Sequence, residues 1–388
     1  MRKKILLFFL ISMLILPGCW DSKELNDLSI VTGGAIDMPK PKTYEVTIQS
    51  VKTSAQSEKG GEGSGSSTSN QVLLSAIGTS VYDATRNIST RLDRKQYWPH
   101  AQIIALGRDM AEDDIGPAID FVMRNAQRRQ SIYFVLSDKE GKQILNNIPD
   151  AADNSSIEAT KLIKNSALTG FGVDQTLINF VAESEGLAGV SLMNYFKSLP
   201  VEKSAPDDKQ QYRSAISGTG VFYQNKLITT LSPRETRAVN WLNNNIDSTV
   251  LTVDYGNTGQ DDITIDIRKS KVYLKPTKEN GNYVMKAKIS VKGLITEYSA
   301  DVYPDEISLE KLKSLISSKI KKEIDTVFEK SKNEIGLDIF SLGRTFVGEY
   351  PDLVHLKQDE WKGIYKDKVL LDVKVDVDVI SSGLLLKK

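Results

Sequence analysis

Apolar and polar positions alternate along this chain with two different periods, and one run has no period at all. From Ile5 to Leu16 every residue except Ser12 is apolar. A helix over that run rises about 18 Å, short of the roughly 30 Å hydrocarbon core of a bilayer. No later stretch approaches the length of a membrane span. Ile30 to Asp37 reads as a strand despite Gly33 and Gly34, and Pro39 and Pro41 mark the turn that follows. Tyr44, Val46 and Ile48 alternate with polar neighbours as in a half-buried strand. Residues 54–70 are rich in Gly and Ser and have almost nothing to bury, which predicts a flexible loop.

Strands and helices then alternate. Val72 to Ala76 is a short apolar run. Val81, Ala84, Ile88 and Leu92 recur at helical spacing behind Thr79 and Ser80, and Ile103 to Leu106 is a buried-strand run. Asp114 to Met123 is helical, with Pro117 tolerated in its first turn, and Ser131 to Leu136 is a further strand. Three helical stretches follow, the second opened by Ser155 and Glu158 in a capping-box spacing. Residues 19–200 are thus a mixed α/β half, with a sub-boundary placed near 138–155. Residues 201–214 are polar and aperiodic and read as a linker.

The half from 215 to 388 is patterned differently. Gly218 to Tyr223 leads through Gln224 and Asn225 into a hairpin, and Ser232, Pro233 and Glu235 form a second capping-box sequence. Strands are predicted at Val250–Val253, Ile263–Ile267, Val272–Leu274 and Tyr283–Val291. In the last, Tyr283, Met285, Ala287, Ile289 and Val291 face one way and Lys286, Lys288 and Ser290 the other. Leu312, Leu315, Ile316, Ile320, Ile324, Val327 and Phe328 stripe a long helix from about Ser308 to Glu334. Val373, Val375, Val377 and Val379 alternate in a final strand. The expected class is α+β with mixed α/β content in several domains. An N-terminal α/β half precedes a curved antiparallel sheet packed against a long helix.

Composition narrows the function classes. The chain has 388 residues, 50 basic and 50 acidic side chains, 2 His and 1 Cys. Such balance argues against a general nucleic-acid binder. A mean hydropathy of −0.28 argues against a polytopic membrane protein. His100 and His355 are far apart in sequence and have no Cys or second His nearby, so no metal or other cofactor is expected. Asp113-Asp114, Asp207-Asp208 and Asp261-Asp262 sit at polar boundaries or turns, and Arg128-Arg129 reads as a surface patch. No nucleophile elbow and no phosphate-cradling loop is present, so no catalytic residue is assigned and the protein is read as a non-enzyme.

The lone Cys is the informative residue. Arg2, Lys3 and Lys4 precede the apolar run, and Leu16-Pro17-Gly18-Cys19 closes it. A basic start, a short apolar core and a small residue before a cleavage point describe an export leader, here residues 1–18. The tetrapeptide resembles a bacterial lipobox, although Pro17 is an unusual residue at its place. That likeness makes Cys19 the site of a diacylglyceryl thioether and an N-acyl chain, palmitate among the candidates. Loss of three basic residues with the leader leaves a slight acidic excess, so attachment to a membrane rests on the lipid and not on bulk charge.

Gly18-Cys19-Trp20-Asp21 with Lys23-Glu24-Leu25 resembles the mature start of the Ger(x)C spore-germination lipoproteins. Arg86-Asn87-Ile88-Ser89, and Tyr97-Trp98-Pro99-His100 running into Ile103-Ile104-Ala105-Leu106-Gly107, are similar to a helix-to-strand signature of that family. Gly218 to Phe222, Glu235 to Leu242 and Asp338 to Gly343 continue the likeness through the second half. The resemblance implies several α/β subdomains and a non-enzymatic C subunit of a nutrient germinant receptor. It also implies a place on the outer face of the spore inner membrane, beside integral-membrane A and B subunits. An extracytoplasmic solute-binding lipoprotein is the alternative. Against it, such proteins are usually two similar α/β domains, whereas these halves differ in type.

Overall fold

The computed structural model describes residues 27–51, 71–125, 128–150, 152, 154–203, 209–256, 259–298 and 308–380. Cys19, the leader, the 54–70 loop and Asp207-Asp208 lie outside the described residues.

The larger sheet begins with β1 (Leu28–Lys40), β2 (Thr43–Val51) and β3 (Gln71–Gly78), paired antiparallel in turn. A short β4 (Lys95–Tyr97) lies parallel to the start of β1. β5 (Ile103–Leu106) runs parallel to β1, β6 (Tyr133–Ser137) to β5, and β7 (Val190–Pro200) to β6. β8 (Tyr212–Tyr223) and β9 (Lys226–Leu231) complete the far side antiparallel. The order is β3-β2-β1-β5-β6-β7-β8-β9. The central strands are parallel and covered on both faces, which is why β5 and β6 read as continuous apolar runs.

Helices cover both faces. α1 (Val81–Ile88), α2 (Arg108–Asp113), α3 (Gly116–Met123) and α6 (Leu177–Ser184) pack Ile88, Met110, Val122 and Phe180 against Ile48, Ile104, Leu106 and Phe134. On the other face α4 (Gly141–Asn146) and α5 (Ser155–Lys164) pack Ile144, Leu145, Ala159 and Ile163 against Ala35, Ile103, Ala105 and Val135. A Cβ at Gly33 would lie 2.0 Å from Ser156 Oγ, so the glycine in β1 lets α5 approach the sheet. The chain does not part near 138–155, since α4 and α5 share one core with β5 and β6. The cap of α5 also differs from expectation. Asn154, not Ser155, accepts from Ile157 N, and Glu158 accepts from Asp150 N. Ser155 instead donates to the Leu145 carbonyl inside the core.

The second sheet holds β10 (Thr249–Val253), β11 (Ile263–Glu279), β12 (Asn282–Tyr298) and β13 (Val369–Ile380) in that order. β10, β11 and β12 are antiparallel, but β13 is parallel to β12, which corrects the all-antiparallel expectation. Between them the chain crosses back through helices, the kind of return a parallel pair requires. α7 (Pro233–Leu242), α8 (Leu309–Lys330), α9 (Leu342–Glu349) and α10 (Gln358–Lys368) bury Trp241, Ile316, Ile320, Ile324, Phe346 and Trp361 over one face. α8 ends in a π turn at Ser331–Ile335, stopped by Gly336 at φ 70°. The two strands expected over 263–274 are one. A bulge between Ile267 and Lys269 switches the inward phase from Ile263, Ile265 and Ile267 to Val272 and Leu274.

The fold is therefore mixed α/β in a two-domain arrangement. The expected linker is displaced in its role. Its last three residues, 212–214, already belong to β8, where Tyr212 pairs with Pro200 of β7. The first domain's sheet thus takes its last two strands from beyond the expected cut. Val190, Leu192, Val221 and Tyr223 of that sheet join the same apolar cluster as Trp241, Ile316 and Met285.

Candidate functional site

α7 is the element that ties the domains together, and its sequence shows how. Ser232 Oγ accepts from Glu235 N and Glu235 Oε2 accepts from Ser232 N at 2.7 Å, so the capping box fixes the helix start. One turn on, Thr236 and Thr219 hydroxyls meet at 3.1 Å inside the protein. Arg237 reaches Glu323 of α8 through two contacts, at 2.6 and 3.2 Å, and also donates to the Val250 carbonyl. Asn240 Nδ2 donates to the Gly170 and Gly172 carbonyls at 2.9 and 2.8 Å, pinning the loop that leads to α6.

Beyond that clamp the two domains enclose a groove of about 1110 Å³. One wall is α6 and its flanks, with Asp174, Asn179 and Glu183; the other is α9, α10 and the turn between, with Ser341, Arg344 and Gln358. Cross-groove bonds hold it. Ser341 Oγ donates to Glu183 at 3.2 Å, and Gln358 Nε2 donates to the Ser184 and Gly186 carbonyls at 2.8 and 3.0 Å. Tyr223 OH donates to Asp359 at 2.8 Å. Burial pushes the Glu183 carboxyl up, against Ser341 and Arg344, which pull it down. Gly189 has φ 65°, which favours glycine, and a Cβ there would sit 2.6 Å from the Gln358 side chain and push it from its place.

Under the groove lies a carboxylate that sequence reading missed. Asp338 is 1% exposed and accepts from Leu342 N at 3.0 Å, Gly343 N at 2.7 Å and Trp361 Nε1 at 3.1 Å. Burial pushes it up to about 6 in spite of those donors. A second, Asp37 at the end of β1, accepts from Gly141 N at 2.5 Å and Lys142 N at 3.1 Å, and burial also pushes it up to about 6. Gln49 is a third interior polar anchor: it bonds the Leu145 carbonyl and the Ser155 and Ser156 hydroxyls. The available signal was a polar residue inside an apolar stretch, as in Ile36-Asp37-Met38 and Leu337-Asp338-Ile339.

The residues singled out from sequence do not converge. His100 is exposed and tilts against Tyr97, and His355 is exposed in a separate turn. Asp113 and Asp114 are exposed, with Asp114 accepting from Gly116 N. Asp261 pairs with Lys319 at 3.1 Å, while Asp262 accepts from Tyr255 N and Gly256 N. Arg128 is not a surface residue. Its guanidinium lies 3.5 Å over the Phe121 ring and 4.9 Å from Trp98, and one Nη donates to the Phe121 carbonyl. Burial lowers it to about 10. Arg129 does face solvent. Among the described residues no group of three His, Cys, Asp or Glu is placed to hold a metal ion, and no helix is long and apolar enough to cross a membrane.

A three-layer α/β domain clamped to a sheet-and-helix domain, with a bonded polar groove between them, defines a two-domain protein built on interfaces. Residues 21–198 match a family model described as the spore germination protein N-terminal domain. Residues 217–383 match the spore germination B3/GerAC-like C-terminal model. The chain belongs to this Ger(x)C family of spore germination proteins. It is 26% identical over 407 residues to spore germination protein KC of Bacillus subtilis (strain 168), covering 97% of this chain and 94% of that one. It is also 26% identical over 380 residues to spore germination protein B3 of the same organism, covering 96% and 94%. The crystal structure of the GerBC protein superposes with a TM-score of 0.51 at 21% identity, covering 94% of this chain and all of that one, so the fold is shared.

Proposed function

We propose that this protein is the lipid-anchored C subunit of a nutrient germinant receptor. In that reading Cys19 carries the lipid on the outer face of the spore inner membrane. The subunit acts beside integral-membrane A and B subunits and performs no catalysis. One observation carries the proposal: both domains match spore-germination families in order, with relatives aligned over nearly the whole chain. The lone Cys at the end of a short apolar leader supports the anchor. The bonded groove and clamp support a part that works by holding shape and contact.

The test is nutrient-triggered loss of spore optical density, with protein level and the mature N-terminus measured in the same spores. Cys19→Ala is expected to leave an unprocessed, unlipidated chain and a weakened response. A wild-type chain processed elsewhere, with Cys19 unmodified, would sink the anchor. A conservative carboxylate change that abolishes the response in abundant, lipidated, partner-bound protein would sink the non-catalytic reading. Recovery of the protein with a small solute and no membrane partner would favour a solute-binding lipoprotein instead.

A further inference from the structure

Overall charge balance conceals a segregated surface on the second sheet. After the bulge in β11, Lys269, Lys271, Tyr273 and Lys275 face outward, because Val272 and Leu274 pack inward. On β12, Lys286, Lys288, Ser290 and Lys292 face the same way, because Met285, Ala287, Ile289 and Val291 are buried. The register sets Lys269 opposite Lys292 and Lys275 opposite Lys286, with Tyr273 opposite Lys288.

Like charges directly opposite each other destabilise a strand pair. The neighbouring pair relieves this in part: β13 sets Asp372 opposite Lys286 and Asp378 opposite Lys292, while Lys374 falls opposite Lys288. Asp376 also reaches Lys288 at 3.0 Å. Relief therefore comes from the β13 side and, at the hairpin end, from Glu279 on Lys286. Among the described residues no acid pairs with Lys269, Lys271 or Lys275. Lysines on an exposed edge deter strand addition, and β11 beyond Ile267 is such an edge, with Pro276 in it. On the central strand β12 the lysines are matched by Asp372, Asp376 and Asp378 of β13, so the uncompensated charge of this face lies on β11.

We propose that the outer face of β11 and β12 docks on an anionic lipid surface. The lysines repeat at about 4.8 Å between strands and about 7 Å along them, a spread of charge that suits a diffuse layer of headgroups more than one folded epitope. They are all lysines, compact hydrated charges with no fork geometry to satisfy, and each near an anionic surface is worth about fivefold in partitioning. Tyr273, 67% exposed at the centre, adds an amphipathic ring of the kind that sits at headgroup level. The biological setting rests on the proposed membrane anchor, which would bring such a surface within reach, but the binding itself is measurable without it.

The experiment is flotation of the full chain with vesicles of phosphatidylcholine alone and of phosphatidylcholine mixed with phosphatidylglycerol. For the wild type the anionic lipid is expected to raise binding, and added salt to erase the gain. Lys269→Glu/Lys271→Glu/Lys275→Glu should cut that gain at least tenfold with an unchanged thermal melt. Lys322→Glu/Lys366→Glu/Lys368→Glu, which moves the same charge elsewhere, should keep most of it. Equal gains for the wild type and the first variant would overturn the proposal, as would an equal loss in the second, which would mean bulk charge alone. Loss of a membrane-protein partner in the first variant with vesicle binding intact would assign the face to protein and overturn it too. Mass spectrometry of Cys19 separates the two readings. An unlipidated Cys19 with lysine-dependent binding supports the face and removes the anchor, while a lipidated Cys19 without lysine dependence removes the face alone.

Discussion

Asp37 and Asp338 are the residues whose environment departs most from what their type suggests. Each is held by N–H donors inside apolar surroundings, and burial pushes each up to about 6 from an ordinary 3.8. Between those values the folded chain binds the proton more tightly than the unfolded chain. The stabilisation is therefore complete below pH 3.8 and is lost as pH rises through 6. At about 1.4 kcal/mol per pH unit this amounts to about 3 kcal/mol for each group. Asp338→Asn leaves one of the three donors facing an amide N–H, so it is destabilising at pH 4. Its deficit against wild type should shrink by about 2 kcal/mol between pH 4 and pH 7 in denaturant melts. A deficit that stays constant would mean that Asp338 is ionised throughout. Arg128 makes the same point in the opposite sense. As half of an Arg-Arg pair it reads as surface, yet Phe121 and Trp98 close on it in space. Neither ring is within five positions of it in sequence, so the burial was not visible there.

At the scale of elements, local rules worked where the partners were local. Ser232 and Glu235 are three apart, and the capping box formed. Ser232→Ala should cost about 1 kcal/mol in a chemical melt. Ser155 and Glu158 have the same spacing, but Asn154 took the cap and the Leu145 carbonyl took Ser155. Asn154→Ala should therefore cost about 1 kcal/mol as a lost cap; a neutral result there would return the cap to Ser155. The hairpin through Gln224 and Asn225 was legible too, and both residues adopt positive φ, 50° and 62°. The stripe on α8 faces the second sheet as its spacing required, with Ile320 fully buried. Ile320→Asp should lower folded protein by several kcal/mol, since it buries an unpaired carboxylate. Strand β11 looks like two pieces in the sequence because a bulge inserts one residue and reverses the alternation, so the period of two breaks at that point.

At the scale of the whole molecule, the domains are joined by a continuous core and by hydrogen bonds such as those from Asn240 to the Gly170 and Gly172 carbonyls, while an ion pair ties α7 to α8 inside the second domain. Arg237 and Glu323 are 6% and 16% exposed, so Arg237→Ala strands a carboxylate and should cost about 3–5 kcal/mol. Adding Glu323→Gln should recover part of that loss in a double-mutant cycle; independent, additive effects would show that the pair is not coupled. The shared cluster predicts one calorimetric transition for the full chain. A fragment starting at residue 215 lacks Val190, Leu192 and the β7 strand that pairs with β8, and should show poorly dispersed amide resonances. A well-dispersed fragment would make the second domain autonomous. The element types, most of their positions, the inward face of β12 and α8, and the family are legible in the chain alone, because these depend on period, capping and short motifs carried by neighbouring residues. It took the folded chain to show that β8 and β9 complete the first sheet, that β13 runs parallel to β12, and that Asp338, Arg237 and Asn240 are buried. Strand pairing and burial are set by contacts between residues tens of positions apart, and their free energy exists only once the chain has brought those residues together.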